Sequence, residues 1–144
     1  MSDITIRRLR NLELFRGCNR SELEKIDRLT TTLVFGAGKT LCTEGGRAQE
    51  FFVLVDGVAN LHSSRGDAAL LVPGTWFGEG VLVNGAQRVA TVTTVTDTML
   101  LVFGRREFRT LCTDVPTVLA RIERRRREVV PYDPVLVGDA VLSR

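Results

Sequence analysis

The chain has 144 residues, with 20 Lys+Arg against 17 Asp+Glu, a single His, and 44% hydrophobic and 26% charged residues. That length fits one compact domain, the apolar content excludes wholesale disorder, and no apolar run approaches the roughly 20 residues that span a bilayer. Met1–Arg10 carries charge around Ile4 and Ile6 without an apolar core, so it does not read as a secretory signal, and a cytoplasmic location is expected.

In chain order, Leu9, Leu12 and Phe15 suit a short amphipathic helix closed by Gly17. Ser21 stands three residues before Glu24, a capping-box spacing, and Leu23, Ile26 and Leu29 follow on one helical face. From Leu33 to Phe103 short apolar or β-branched runs are punctuated by glycine. Phe51–Val55, Val58–Leu61, Ala68–Val72, Val89–Val95 and Met99–Phe103 read as strands, with a turn at residues 63–67. Such closely spaced strands imply an antiparallel sandwich or barrel. Helical spacing returns at Arg105–Leu111. Asp114 suits the cap of a longer helix with Pro116 in its first turn and a stripe of Val118, Leu119, Ile122 and Val129. Pro131 and Pro134 end it.

Two counts restrict the chemistry. His62 alone cannot build a multi-His metal site, and a histidine at a strand end before a turn reads as exposed or hydrogen-bonded rather than catalytic. Cys18, Cys42 and Cys112 contain no C-x-x-C pair, so they read as small apolar side chains in a reducing compartment. No metal is expected. No acid–base or nucleophile constellation is present, so the chain reads as a non-enzyme.

The segment Pro73–Val92 carries the most chemistry. Gly78 and Gly80 permit close approach of backbone to a ligand. A short helix around Gly80–Val83 would aim free N–H groups together, an array that binds phosphate. Arg88 could supply the counter-charge through two parallel hydrogen bonds. Glu79 can accept from a sugar hydroxyl. These groups describe a site for a phosphorylated sugar; the structural alternative is a simple Glu79–Arg88 ion pair on a loop.

Phe77-Gly78-Glu79, the nine-residue step to Arg88, and Ala90-Thr91-Val92 together resemble the phosphate-binding cassette of cyclic nucleotide-binding domains. Such domains occur in catabolite activator proteins, protein kinase A regulatory subunits and cyclic nucleotide-gated channels. Leu12-x-Leu14-Phe15 is similar to the family's opening helix, and Gly38-Lys39-Thr40-Leu41 with Glu44-Gly45 to its first barrel turn. Phe52–Val58 resembles the strand and glycine turn that follow, and Thr98–Val102 with Glu107-Phe108 the last strand and its helix. The likeness spans about residues 9–128.

The resemblance implies a mainly β fold with flanking α-helices, an eight-stranded antiparallel jelly-roll barrel. It implies N-terminal helices over about residues 1–31, the barrel over 32–104, C-terminal helices over 105–130, and a tail at 131–144. Arg88 and backbone N–H groups near Gly80, Val81 and Leu82 would hold the cyclic phosphate, Glu79 the ribose 2′-OH, and Leu61 and Leu71 the base side. The family more often has Leu or Ile at the position of Gly80 and Ala at that of Val81. Val89 after the arginine offers no hydroxyl to guanine, which favours cAMP over cGMP. The expected function is a cyclic nucleotide sensor signalling through its C-terminal helix, by dimerisation or an effector protein. The alternative is an interaction module of the same fold with a degenerate pocket.

Further features have plain readings. The run Arg121-x-x-Arg124-Arg125-Arg126-Arg127 could touch nucleic acid, but reads first as the solvated face of a helix laced by Glu123 and Glu128. DNA binding of the catabolite-activator type is not expected, because the residues after Glu128 are too few for a helix-turn-helix. Trp76 reads as a packing residue, and Tyr132 as a candidate lid over the purine.

Overall fold

The computed structural model describes residues 3–82 and 87–128. Helices α1 (Asp3–Asn11) and α2 (Arg20–Leu29) flank a 3-10 turn at Glu13–Phe15. Eight strands follow: β1 (Thr31–Phe35), β2 (Thr40–Cys42), β3 (Glu50–Asp56), β4 (Ala59–His62), β5 (Ala68–Leu71), β6 (Trp76–Phe77), β7 (Thr91–Thr94) and β8 (Thr98–Gly104). Helices α3 (Arg105–Asp114) and α4 (Pro116–Glu128) close the described chain. No helix among the described residues is long and apolar enough to cross a membrane.

The strands form two four-stranded sheets, ordered β1-β8-β3-β6 and β2-β7-β4-β5, with every strand pair antiparallel. That order is a jelly roll, as expected. All five runs read as strands are present. The two-residue β6 is too short to show any period and lies within the segment Pro73–Val92, ahead of the run read as a strand at Val89–Val95.

Strand β3 explains how the layers meet. Period-two alternation sends successive side chains to opposite faces. Phe52 and Leu54 join Leu61, Leu71, Phe77, Val92 and Leu100 inside the barrel. Phe51 and Val53 face the helices and pack with Phe15, Leu23, Phe103, Phe108 and Ile122. Phe51 stacks on Phe108 at 4.2 Å between centroids, and Phe52 stacks on Phe77 at 4.8 Å. One strand therefore fastens both the helical layer and the segment leading to the cassette.

Three local expectations are corrected. The N-terminal helix ends at Asn11, and Leu12–Phe15 turn into the separate 3-10 segment before Gly17. The capping box of α2 uses Asn19 and Glu22, not Ser21 and Glu24: Glu22 N–H donates to Asn19 Oδ1 at 2.8 Å, and Asn19 N–H donates to Glu22 Oε1 at 2.9 Å. Asp114 closes α3 and pairs with Lys25 at 3.4 Å, which leaves Val115 directly before Pro116. Val118 and Ile122 are buried and Leu119 is partly buried, as the stripe requires. Val129, Tyr132 and the 131–144 tail lie outside the described residues.

Candidate functional site

The cassette runs from the end of β6 into a 3-10 turn, Glu79–Leu82. Gly78 begins it with φ +96°, a conformation that side chains resist. A Cβ there would also sit 2.7 Å from Arg88 Nη1 and 2.7 Å from the Glu50 carbonyl oxygen. Glycine at 78 thus lets the guanidinium pack against the backbone just ahead of Glu79.

Arg88 is buried, at 8% exposure, and is held at several points. Its Nη2 donates to the Glu50 carbonyl oxygen at 2.7 Å and lies 3.7 Å from Glu50 Oε1. The guanidinium sits over the Phe52 ring, 5.5 Å from its centroid, so it faces the same barrel interior as Leu61 and Leu71. Its backbone is latched as well: Arg88 N–H donates to Gly46 O at 2.7 Å, and Gly45 N–H donates to Arg88 O at 2.8 Å. That latch extends outward, because Glu44 N–H donates to Thr91 Oγ1 at 2.9 Å and the Glu44 carboxylate accepts from Ser64 N–H at 2.8 Å. The hydroxyl and N–H of Ser64 hold the Glu44 carboxyl below its ordinary range.

Glu79 is also buried, at 2% exposure. The Arg88 guanidinium has the Glu50 carboxylate as an anionic neighbour at 3.7 Å, so it is not simply one half of an isolated loop pair with Glu79. Val81 is fully buried, and its side chain belongs to the core shared with the helices rather than to the barrel interior. Its N–H donates to Gly78 O at 3.1 Å, so this cassette donor is already engaged. Its carbonyl accepts from Arg105 Nε at 3.2 Å, which ties the first residue of α3 to the cassette. Gly80 is half-buried and Val89 is exposed. Leu61 and Leu71 are buried on β4 and β5, where Leu61 pairs with Ala69 and Leu71 with Ala59. Leu82 ends the 3-10 turn. Among the described residues no group of three His, Cys, Asp or Glu could hold a metal. His62 is exposed.

Sequence reasoning missed Glu50, Gly46 and Arg105. Glu50 and Gly46 hold Arg88 through backbone carbonyls, which any residue type supplies, and Arg105 reaches Val81 across 24 positions. The solvated-face reading of the α4 arginines is corrected at Arg121 and Arg125, while Arg124 is exposed as that reading expects. Arg121 Nη1 donates to the carbonyls of Glu13 and Leu14 at 3.3 and 3.0 Å, and Arg125 lies on the Trp76 ring, 3.9 Å from its centroid. Trp76 itself is buried.

Residues 32–114, from β1 to the end of α3, match the cyclic nucleotide-binding domain family. The chain belongs to that family. It is 30% identical over 105 residues to a cyclic nucleotide-gated potassium channel of Mesorhizobium japonicum, covering 73% of this chain and 29% of the channel. It is 28% identical to a cAMP-dependent protein kinase regulatory subunit of Colletotrichum orbiculare, covering 90% of this chain and 32% of that subunit. The chain therefore spans about a third of the length of these relatives. Among solved structures, the Thermus thermophilus catabolite activator protein superposes with a TM-score of 0.68 at 29% identity, over 80% of this chain and 58% of that one. The regulatory subunit of a cAMP-independent protein kinase A from Trypanosoma brucei shares the fold, with a TM-score of 0.77 at 17% identity over 90% of this chain and 47% of that one.

Proposed function

We propose that this cyclic nucleotide-binding domain is a non-catalytic cytoplasmic sensor for cAMP, working without a metal. Its domain would run over about residues 1–130. The observation that carries this reading is the buried Arg88 guanidinium, anchored on one edge by the Glu50 carbonyl and packed against Gly78, the residue before buried Glu79. A cyclic phosphate entering a barrel loses its hydration, so it needs a fixed positive charge and several donors to compensate. Arg88 supplies the charge without the entropy cost of ordering a free side chain. The N–H groups of Gly80 and Leu82 would complete the phosphate cradle.

Glu79 accepts the ribose 2′-OH in this scheme, while Leu61 and Leu71 cover the base. Val89, with no hydroxyl for the guanine amino group, leans the site toward cAMP over cGMP. Signalling follows from how the cassette is fastened. Val81 packs into the helical core, and Arg105 of α3 holds the Val81 carbonyl. Ligand that shifts the cassette would move α3 and α4, a population change that needs different affinities in the two positions. The shifted α4 would then present a surface to a second copy or to an effector protein.

A second reading keeps the fold but gives the pocket no ligand, leaving a dimerisation or interaction module. The engaged Val81 N–H favours it, since one cassette donor is withdrawn from phosphate. Thermal unfolding with cAMP, cGMP and 5′-AMP distinguishes the two. The sensor predicts a saturable rise in Tm, larger for cAMP than for cGMP and absent for 5′-AMP. Identical melting curves with all three nucleotides would favour the ligand-free module.

A further inference from the structure

The arginines of α4 open a second site, on the helix-facing side of β6 rather than inside the barrel. Arg16, Arg121, Arg124 and Arg125 line a cleft of about 200 Å³ together with Glu13 and Trp76. Among the described residues, four guanidiniums and one carboxylate line it. Arg121 is committed to the Glu13 and Leu14 carbonyls, which fixes α4 against the 3-10 turn. Arg125 is only 17% exposed, its plane on the Trp76 ring and its Nη2 3.7 Å from Glu13 Oε2. Its Nη1 is buried and has no hydrogen-bond acceptor among the described residues. A buried charged donor without an acceptor is costly, and an incoming anion relieves that cost.

We propose that this cleft binds the phosphoryl group of a small phosphorylated ligand. Guanidinium forks match phosphate through paired hydrogen bonds, and stacking on Trp76 presets the orientation of Arg125. A phosphoryl group offers three terminal oxygens to be shared between Arg16 and Arg125, whereas the carboxylate of Glu13 offers two and is 60% exposed at the cleft mouth. Glu13 therefore acts as a weak resident occupant that a phosphoryl group displaces. None of these residues belongs to the cassette, although Trp76 lies three positions before Glu79. Occupancy would brace α4 against both the 3-10 turn and the strand that leads into the cassette.

Trp76 is the chain's single tryptophan and reports on the cleft directly. Pyrophosphate is titrated into the full chain at constant ionic strength, following tryptophan fluorescence and calorimetric heat, with citrate as a carboxylate of comparable charge. A saturable signal with pyrophosphate, at least about tenfold weaker with citrate, is expected. Arg16→Gln and Arg125→Gln should each weaken pyrophosphate by roughly tenfold, the worth of one charge-assisted bond. Arg16→Gln leaves the Trp76 stack in place, so it separates loss of binding from loss of the fluorescence report. Glu13→Gln should tighten binding. A non-saturable response matching a chloride control, equal binding of citrate, or affinity unchanged in both arginine variants would overturn the proposal.

Discussion

Arg88 Nη2 lies 2.7 Å from the Glu50 carbonyl oxygen, while the Glu50 carboxylate stands off at 3.7 Å and is half-exposed. The anchor of the buried guanidinium is thus a backbone group, and the ion pair is secondary. Glu50→Gln keeps the carbonyl and loses only a partly exposed ion pair. It should cost less than about 1 kcal/mol in stability and leave nucleotide affinity within a few-fold. Chemical denaturation with a cAMP titration checks this; a collapse of affinity in Glu50→Gln would make the carboxylate the real anchor.

Gly78→Ala should be far more damaging. The added Cβ would meet both Arg88 Nη1 and the Glu50 carbonyl at 2.7 Å, at a residue with φ +96°. A loss of at least 1–3 kcal/mol, the rough scale for strained backbone, is expected in denaturant unfolding, along with lost cAMP affinity. Wild-type stability in this variant would mean that the turn can relax away from Arg88.

Glu79→Gln should weaken cAMP by about 1.5–3 kcal/mol, the scale of a hydrogen bond to a charged group. The same substitution should change the affinity for 2′-deoxy-cAMP little, since that ligand lacks the hydroxyl. Equal losses for both ligands would remove Glu79 from the ribose contact.

Burial, with Glu123 adding a like charge, pushes the Cys112 thiol up from its ordinary 9.0 to about 11. In the unfolded chain the thiol ionises first, so the unfolded state binds fewer protons between those values. Stability should be flat below about pH 9 and fall as pH rises toward about 11. Cys112→Ala should flatten that alkaline limb in a series of Tm measurements. A wild-type limb no steeper than that of Cys112→Ala would contradict it.

The α2 cap gives a local test. Asn19→Ala should cost about 0.5–2 kcal/mol in urea unfolding, as cap losses generally do, while Ser21→Ala should be close to neutral. The reverse order would restore the Ser21 register. This pair also shows what the sequence could convey. Asn19-x-x-Glu22 and Ser21-x-x-Glu24 both satisfy the capping pattern, and the helix begins at the first of them. The strands with clear alternation, such as β4 with its strict buried–exposed order, were legible, because one face meets the barrel interior. β6 was not, because two residues carry no period. In the candidate site, spacing and residue type single out Gly78, Glu79 and Arg88, and the structure buries Glu79 and Arg88. Their supports were not legible, since carbonyls of Gly46 and Glu50 leave no mark in residue identity. Two of the α4 arginines were not legible: Arg121 and Arg125, four apart, turn together toward the N-terminal segment and Trp76, a detail fixed by helical phase and by what packs there.

The most direct measurement is a calorimetric titration of cAMP into the full chain and into Arg88→Ala. Saturable binding in the wild type, lost in Arg88→Ala while the variant still unfolds cooperatively, is the result predicted for a cyclic phosphate held by the anchored guanidinium. No heat in the wild type at millimolar cAMP, or undiminished binding in Arg88→Ala, would contradict it.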